Sequence, residues 1–518
     1  MISSDKFQSP MARVGTMVPP NAKFEDSIMM SSFGLPSFAK SEETNPKIKE
    51  KLSNSSQFDY DIVVIGTGPG GYVAAIRAAQ LGARVAVIEK EYVGGVCLNV
   101  GCIPTKTLLS CVAVLDHIRA GEEFGVRVSD CGLDIPLMMQ RKDTTVKQLT
   151  SGISGLFKKN KIKMYEGFGE IADSHTIKIK TSSGEENITS GYIIIATGSV
   201  PAKLPLEGFE IGEDVWTSTE ALKFTEVPKR MAVVGAGAIG LEFGYTFARL
   251  NTDVTVIEMM DQILPFSDTE TANALQKSLE HAGMKFKLGT GVLKAENTKN
   301  GKKVYIKKDG VEETLEVDKI LVAVGRRAVI EGIGLEKVGI KTDGRKINVN
   351  KSMQTNIPNI YAIGDCIGDP MLAHVGWTEG VVAVEHALGM NVQMDYSVFP
   401  MCVYTTPEFS ACGLSEQKAR EKYDDVITGK FTFSHNGKAM GMGETEGFVK
   451  FVVSEKYGEI LGCSIVGPHA TDLISEIVLA IKNELTIDEI INTIHPHPTL
   501  AEVVQEAAMD VKKRSIHK

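Results

Sequence analysis

The sequence predicts an α/β protein: two doubly wound, Rossmann-like parallel-sheet domains followed by a smaller C-terminal α+β domain. Three observations carry this. β-Branched runs at Tyr60–Ile65 and Met231–Val234 each lead into a loop of the form Gly-x-Gly-x-x-Gly. Each loop is followed by a helical stretch and a second strand ending in an acid. From about Phe399 the pattern changes to alternating strands and helices of a different kind.

Tyr60-Asp61-Ile62-Val63-Val64-Ile65 reads as a parallel strand buried on both faces. It enters the loop Gly66-x-Gly68-x-x-Gly71, then a helix from about 71 to 81 that Gly82 stops, then a strand from 84 to 88 and Glu89. Gly66 makes the tight turn, Gly68 lets backbone approach a pyrophosphate, and Gly71 lets helix and strand pack. The pyrophosphate would sit on the positive helix end, and Glu89 would accept hydrogen bonds from ribose hydroxyls.

Directly after this unit comes Gly94-Gly95-Val96-Cys97-Leu98-Asn99-Val100-Gly101-Cys102-Ile103-Pro104-Thr105-Lys106. Five positions along a regular helix put two Cα atoms roughly 8–9 Å apart, beyond the ~7 Å that a disulfide bridges. A disulfide therefore requires a helix distorted between the cysteines, with Gly101 as the permissive residue. A buried thiol pair, or half of a zinc site, are the other readings. Zinc would need a second cysteine pair with matching spacing, and the sequence offers none, so no metal is expected.

Helices are expected at about 105–117 and 144–160, with short strands between 162 and 195. The last strand closes in the turn Thr197-Gly198-Ser199. The second glycine unit is Gly235-x-Gly237-x-x-Gly240, closed by Val254-Thr255-Val256-Ile257-Glu258. The acid follows the first glycine by 23 positions in both copies (66 to 89, 235 to 258). This internal repeat implies two nucleotide sites. Met259-Met260-Asp261 follows Glu258 with no arginine, so the second site is expected to take NAD and not NADP.

Farther on, Ile360-Tyr361-Ala362-Ile363-Gly364-Asp365 places a carboxylate where a strand ends. Leu372-Ala373-His374 follows. Ile494-His495-Pro496-His497-Pro498-Thr499-Leu500-Ala501-Glu502 pairs His497 with a carboxylate five positions on, a general-base arrangement, or else holds two solvated histidines in a turn.

The bulk composition agrees with an intracellular enzyme. The chain has 518 residues, 43% apolar and 23% charged, with net charge -9, which leaves no basic field for nucleic acid. No uninterrupted apolar run reaches the ~18 residues of a membrane span. Eight cysteines in this length suit a reducing compartment with one working pair. Residues 1–57 lack hydrophobic periodicity and are expected to be a disordered extension. With one arginine, Arg13, among several acids they make a poor transit segment. A cytoplasmic location is therefore expected, with the mitochondrial matrix as the alternative.

Gly94–Lys106, both glycine units, Ala196–Ser199, Tyr361–Asp365, Leu372–His374, Tyr404–Glu408 and His497–Glu502 together resemble the flavoprotein disulfide reductases, nearest to the members that act on lipoyl dithiols. The match runs from about residue 58 to the C-terminal region. The resemblance implies FAD at the first site, held by Gly66, Gly68, Gly71, Glu89, Lys106, Gly169, Thr197, Gly198, Ser199, Asp365, Leu372, Ala373 and His374. It implies NAD at the second, held by Gly235, Gly237, Gly240, Glu242, Glu258, Val292 and Gly325. It makes Cys97–Cys102 the redox disulfide, Cys97 toward substrate and Cys102 toward flavin, with Lys106 paired to Glu242. It also implies a homodimer in which His497 and Glu502 serve the partner subunit's active site.

The domains expected are 58–200 for the first part of the flavin domain, 201–327 for the NAD domain, 328–396 completing the flavin site, and 397–518 for the dimer interface. A lipoylated acyltransferase or glycine-cleavage carrier protein is the expected partner. An NADH-dependent reductase of another small disulfide and a non-catalytic nucleotide-binding scaffold are the alternatives. Three places depart from the family pattern: Val96, Ala328-Val329-Ile330 and Val375-Gly376-Trp377-Thr378.

Overall fold

The computed structural model describes residues 45–518; the expectations for residues 1–44 lie outside them. The expected disordered extension is corrected over its last stretch. Pro46–Asn54 is a helix whose Ile48 is fully buried and whose Leu52 packs on the first domain's core. These two residues, four apart, give the helix one apolar edge. Ser55 then donates to Asp61 Oδ1 at 2.5 Å, and Arg84 Nη2 donates to the Ser55 carbonyl at 3.1 Å.

The first parallel sheet runs Lys163–Glu166, Val85–Glu89, Tyr60–Ile65, Gly184–Ile195, Ile360–Ala362. Val63, Val64 and Ile193–Ile195 are fully buried, each contributing about 1.5–3 kcal/mol of burial. The last strand arrives from beyond the second glycine unit. Thus Asp365 ends beside the turn after Ile195. The glycine-loop helix Pro69–Gln80 lies against the helix Ala373–Ala387 so closely that a Cβ on Gly380 would stand 2.6 Å from the Gly70 carbonyl oxygen.

The second parallel sheet runs Met284–Lys287, Asp253–Ile257, Arg230–Val234, Lys319–Val322, Val215–Trp216. A three-stranded meander, Gly291–Thr298, Gly301–Lys308 and Val311–Val317, accompanies it. The third sheet is antiparallel, in the order Met401–Val403, Glu408–Gly413, Ile460–Gly467, Phe448–Ser454, Val426–Thr432, with the helices Ala470–Lys482 and Glu502–Val511 packed on it.

Two helices are longer than expected. Ile135–Lys159 begins nine residues before 144, at a start signalled by the Asp134 side chain accepting from Leu137 N and by Pro136. Cys102–Arg119 follows the short helix Gly95–Val100. By length and composition alone the stretch Gly95–Arg119 could cross a membrane. Leu108, Leu109, Val112 and Leu115 are instead buried in the interior.

Candidate active site

The two glycine loops are built alike. Gly66 N donates to the Ile88 carbonyl and Gly235 N to the Ile257 carbonyl, both at 2.8 Å. Each helix begins at the second glycine, Gly68 or Gly237, with no side chain capping its N–H groups. A Cβ on Gly71 would lie 2.1 Å from the Gly66 oxygen, and one on Gly240 would lie 2.0 Å from the Gly235 oxygen.

The terminal acids brace these loops. Glu89 Oε2 accepts from Thr67 N at 2.9 Å and from its hydroxyl at 2.7 Å, while Oε1 accepts from Glu91 N and Tyr92 N. Glu258 accepts from Ala236 N at 2.8 Å and from Met260 N at 2.9 Å. Met259 and Met260 are exposed where a 2′-phosphate would need a cation. Val292 lies in the meander, packed on the second domain's core, and Gly325 takes a positive φ of 105° after the strand Lys319–Val322.

Around the first loop, Gly169 sits against Ile65 and Ile88, with no room for a larger residue without displacing them (3.2–3.3 Å). Ser199 donates to Asp365, and Arg326 Nε donates to the Ser199 hydroxyl at 2.7 Å. Burial pulls the Arg326 guanidinium below its ordinary value, opposed by the charges of Asp365 and Cys102. Thr197 Oγ1 donates to the Val329 carbonyl at 2.6 Å, and Val329 N to the Gly198 carbonyl at 2.9 Å. The departing loop 328–330 therefore holds this turn. Leu372, Ala373 and His374 stand at the N-terminus of the helix Ala373–Ala387, which no side chain caps. His374 Nε2 meets the Pro400 carbonyl at 3.0 Å, and burial lowers its pKa.

The cysteine pair lies where the helix breaks. Gly101, at φ −145° and ψ −116°, separates Gly95–Val100 from Cys102–Arg119. A Cβ there would lie 3.0 Å from the Val96 oxygen and 3.3 Å from the Cys97 Cα. Cys97 and Cys102 meet across this break in side-chain hydrogen-bond contact. That hydrogen bond drives them apart electrostatically. Cys97, the donor, is pushed up, and Cys102, the acceptor, is drawn down to about 7 against its burial, with help from Lys106. No cluster that could hold a metal occurs among the described residues.

Lys106 is one helical turn beyond Cys102. Its Nζ donates to both oxygens of Glu242, at 2.9 and 2.7 Å, and lies 4.5 Å from the centre of the Tyr404 ring. Glu242 is buried and also accepts from Tyr404 N at 3.1 Å. Its carboxylate is thus committed to Lys106 and to the Tyr404 N–H. His497 Nδ1 meets Glu502 Oε1 at 2.8 Å, and Glu502 Oε2 accepts from Thr499 N at 2.8 Å. The His497 side chain is 79% exposed. Among the described residues no hydrogen bond or ion pair joins His497 or Glu502 to Cys97, Cys102 or Lys106 within the chain.

Residues 60–380 match the family of pyridine nucleotide-disulphide oxidoreductases, and residues 399–508 match that family's dimerisation domain. The chain belongs to the pyridine nucleotide-disulphide oxidoreductases. It is 46% identical over 462 residues to a dihydrolipoyl dehydrogenase of Thermus scotoductus, covering 88% of this chain and 98% of that one. It is 44% identical to one of Bacillus subtilis (89% and 99% covered) and 42% identical to a mitochondrial one of Arabidopsis thaliana (90% and 93%). Among solved structures it is similar to RclA, a HOCl-induced flavoprotein disulfide reductase of Escherichia coli, at TM-score 0.78 and 26% identity, covering 86% of this chain and 98% of that one.

Members of this family use FAD and a pyridine nucleotide, and two observations fit both here. Both helix N-termini behind the glycine loops are free of side-chain caps. A Cβ on Gly237 would meet nothing within 4 Å, and one on Gly68 only the Gly95 Cα at 4.0 Å, so backbone is open to a close ligand at both. The sequence reading gave no site role to Arg326, Tyr404 or Glu379. Glu379 is buried and accepts from Gly364 N and from the Tyr396 hydroxyl, each at 2.7 Å, fixing the turn before Asp365. A single carboxylate within the mostly apolar stretch Val375–Val384 was the available signal for it.

Proposed function

We propose that the chain catalyses the reaction of a dihydrolipoyl dehydrogenase: oxidation of protein-bound dihydrolipoyl groups with reduction of NAD+ to NADH, through Cys97 and Cys102. The observation that carries this is the hydrogen-bonded Cys97–Cys102 pair at the Gly101 helix break, one turn from the Lys106–Glu242 ion pair, in a chain whose dimerisation domain carries His497 hydrogen-bonded to Glu502.

In the working cycle Cys97 and Cys102 alternate between disulfide and dithiol. His497, oriented by Glu502, takes a proton from a lipoyl thiol, because the thiolate is the nucleophile. The thiolate attacks Cys97 Sγ. The Cys97–Cys102 bond breaks, a mixed disulfide forms, and Cys102 leaves as thiolate, the form its surroundings favour. The second lipoyl thiolate closes the lipoyl disulfide and releases Cys97, leaving two electrons on the cysteine pair.

FAD bound at Gly66–Gly71, Thr197–Ser199, Asp365 and Leu372–His374 would supply the two-electron acceptor between that pair and NAD+. NAD+ would be held at Gly235–Gly240 and Glu258. In this reading segments 58–200 and 328–396 form the flavin domain, 201–327 the NAD domain, and 397–518 the interface. His497 and Glu502 serve the partner subunit's cysteine pair. The physiological electron donor is a lipoylated acyltransferase or glycine-cleavage carrier, in the cytoplasm, or in the mitochondrial matrix if residues 1–57 direct import.

The test is a substrate comparison on the purified yellow dimer. Dihydrolipoamide with NAD+ should turn over, and glutathione disulfide with NADPH should not. The reverse result refutes the proposal.

A further inference from the structure

The segment that carries His497 contains a second histidine with the opposite exposure. The His495 side chain is 3% exposed. Its Nε2 lies 3.0 Å from Glu476 Oε1, on the helix Ala470–Lys482, and its Nδ1 lies 3.0 Å from the Thr493 carbonyl. Gln505, on the final helix, donates to the same carbonyl at 2.9 Å. The chain is thus fastened two residues before His497, while Ile494 beside it is 94% exposed.

We propose that His495 is a positioning residue: clamped between Glu476 and the Thr493 carbonyl, it fixes the loop that presents His497 to the dithiol. This rests on the reading of His497 as the base given above. Both ring nitrogens of His495 face acceptors, and only the doubly protonated ring donates to both. A neutral ring sets one nitrogen lone pair against an oxygen and gives up one of the two fastenings.

The surroundings favour the charged ring. The Glu476 hydrogen bond raises its pKa above the ordinary 6.5, working against burial, with smaller contributions from the Thr493 carbonyl and the Glu502 carboxylate. The Cys463 thiol also feels the Glu476 charge, and burial pushes it well above its ordinary value and keeps it neutral. The clamp is therefore complete below about pH 6.5 and is released as pH rises through the elevated value.

The experiment compares holoenzyme variants Glu476→Gln and His495→Gln with the wild type from about pH 6 to about pH 9. Dihydrolipoamide oxidation is measured beside NADH oxidation by ferricyanide, which needs no dithiol base. Glu476→Gln keeps an acceptor for the ring but removes the charge. It should stay within about threefold of wild type near pH 6 and show its largest deficit, about tenfold or more, between pH 6.5 and the elevated value at which the wild-type ring titrates, while His495→Gln falls throughout. Ferricyanide rates should be unchanged in both variants. A Glu476→Gln to wild-type ratio that is flat with pH overturns the proposal, whether the ratio is near one or uniformly low.

Histidine nitrogen NMR on the wild-type holoenzyme gives a reading that needs no variant. His495 must titrate above 6.5, and a ring that titrates below it overturns the clamp. A wild type without any lipoamide turnover counts against the proposed reaction itself, and the titration then still decides the clamp.

Discussion

Lys106 and Glu242, 136 positions apart, form a two-point ion pair that ties the cysteine helix to the helix behind the second glycine loop. Glu242 is 4% exposed and Lys106 31%. Removing the carboxylate leaves an ammonium half out of water and orphans the Tyr404 N–H. Glu242→Ala should therefore destabilise the protein by about 3 kcal/mol, the lower end for a broken buried pair because Lys106 keeps some solvent. Chemical denaturation of the holoenzyme measures it.

The same pair sets the Cys102 thiolate. Lys106 lowers the Cys102 pKa and Glu242 opposes it. Lys106→Met should raise the Cys102 pKa by roughly 1–3 units, the usual effect of losing a nearby opposite charge. Glu242→Gln should move it the other way. The pH dependence of iodoacetamide labelling of the reduced protein reads both, and shifts of one sign in the two variants would contradict the assignment.

Gly71→Ala and Gly240→Ala should separate the two nucleotide sites. Each added Cβ would fall within 2.1 Å of a loop carbonyl oxygen, Gly66 in one case and Gly235 in the other, so the loop must move. The first variant should lose its yellow colour. The second should keep its flavin and lose NAD-dependent turnover by at least about tenfold, as expected when a pyrophosphate-binding backbone is displaced. Flavin absorbance and NAD+ titration distinguish them.

Much of this was legible because the glycine units are local. Glycine loop, helix and terminal acid lie within 24 residues in both copies (66 to 89, 235 to 258), and their spacing carries its own physical reason. The helix break at Gly101 followed from simple helix geometry. What stayed hidden depends on partners far along the chain. Nothing near Tyr404 says that its N–H meets Glu242, 162 positions away, and nothing near Arg326 says that it reaches Ser199. His495 looked solvated because Glu476, its partner, sits on another helix. The helix at Pro46–Asn54 was overlooked because two apolar residues in nine give a weak period. Glu89 was read as a ribose acceptor, yet here it braces its own loop, as Glu258 does in the second unit.

Cys97→Ser should abolish dihydrolipoamide oxidation and leave NADH oxidation by ferricyanide intact. The variant removes the sulfur that substrate attacks and keeps the Cys102 side of the site. The pair's pH behaviour has a defined sign. Cys102 is drawn down to about 7 from an ordinary 9.0, so in the reduced wild type its thiolate is full above that value and is lost as pH falls through it. Iodoacetamide labelling of Cys102 should follow that limb, and a Cys102 labelling rate that does not fall as pH falls would contradict the assignment.

His497→Gln and Glu502→Gln test the base and its orienting partner. Losing the base should lower dithiol oxidation by about 10²–10⁴-fold without changing ferricyanide turnover. Glu502 differs in kind. Burial would raise its pKa, but hydrogen bonds from Thr499 N and His497 outweigh that and hold it below the ordinary 4.5. The carboxylate thus contributes stability above pH 4.5 that is lost as pH falls through the lower folded value, so acid alone should not uncouple it in the working range. Glu502→Gln should therefore lower activity at every neutral pH. It removes the charge that stabilises an imidazolium, and Gln can meet the Thr499 N–H only with its carbonyl, which then turns its amide toward His497. A Glu502→Gln enzyme within about twofold of wild type would reduce Glu502 to a helix-terminus residue and leave His497 without an orienting partner.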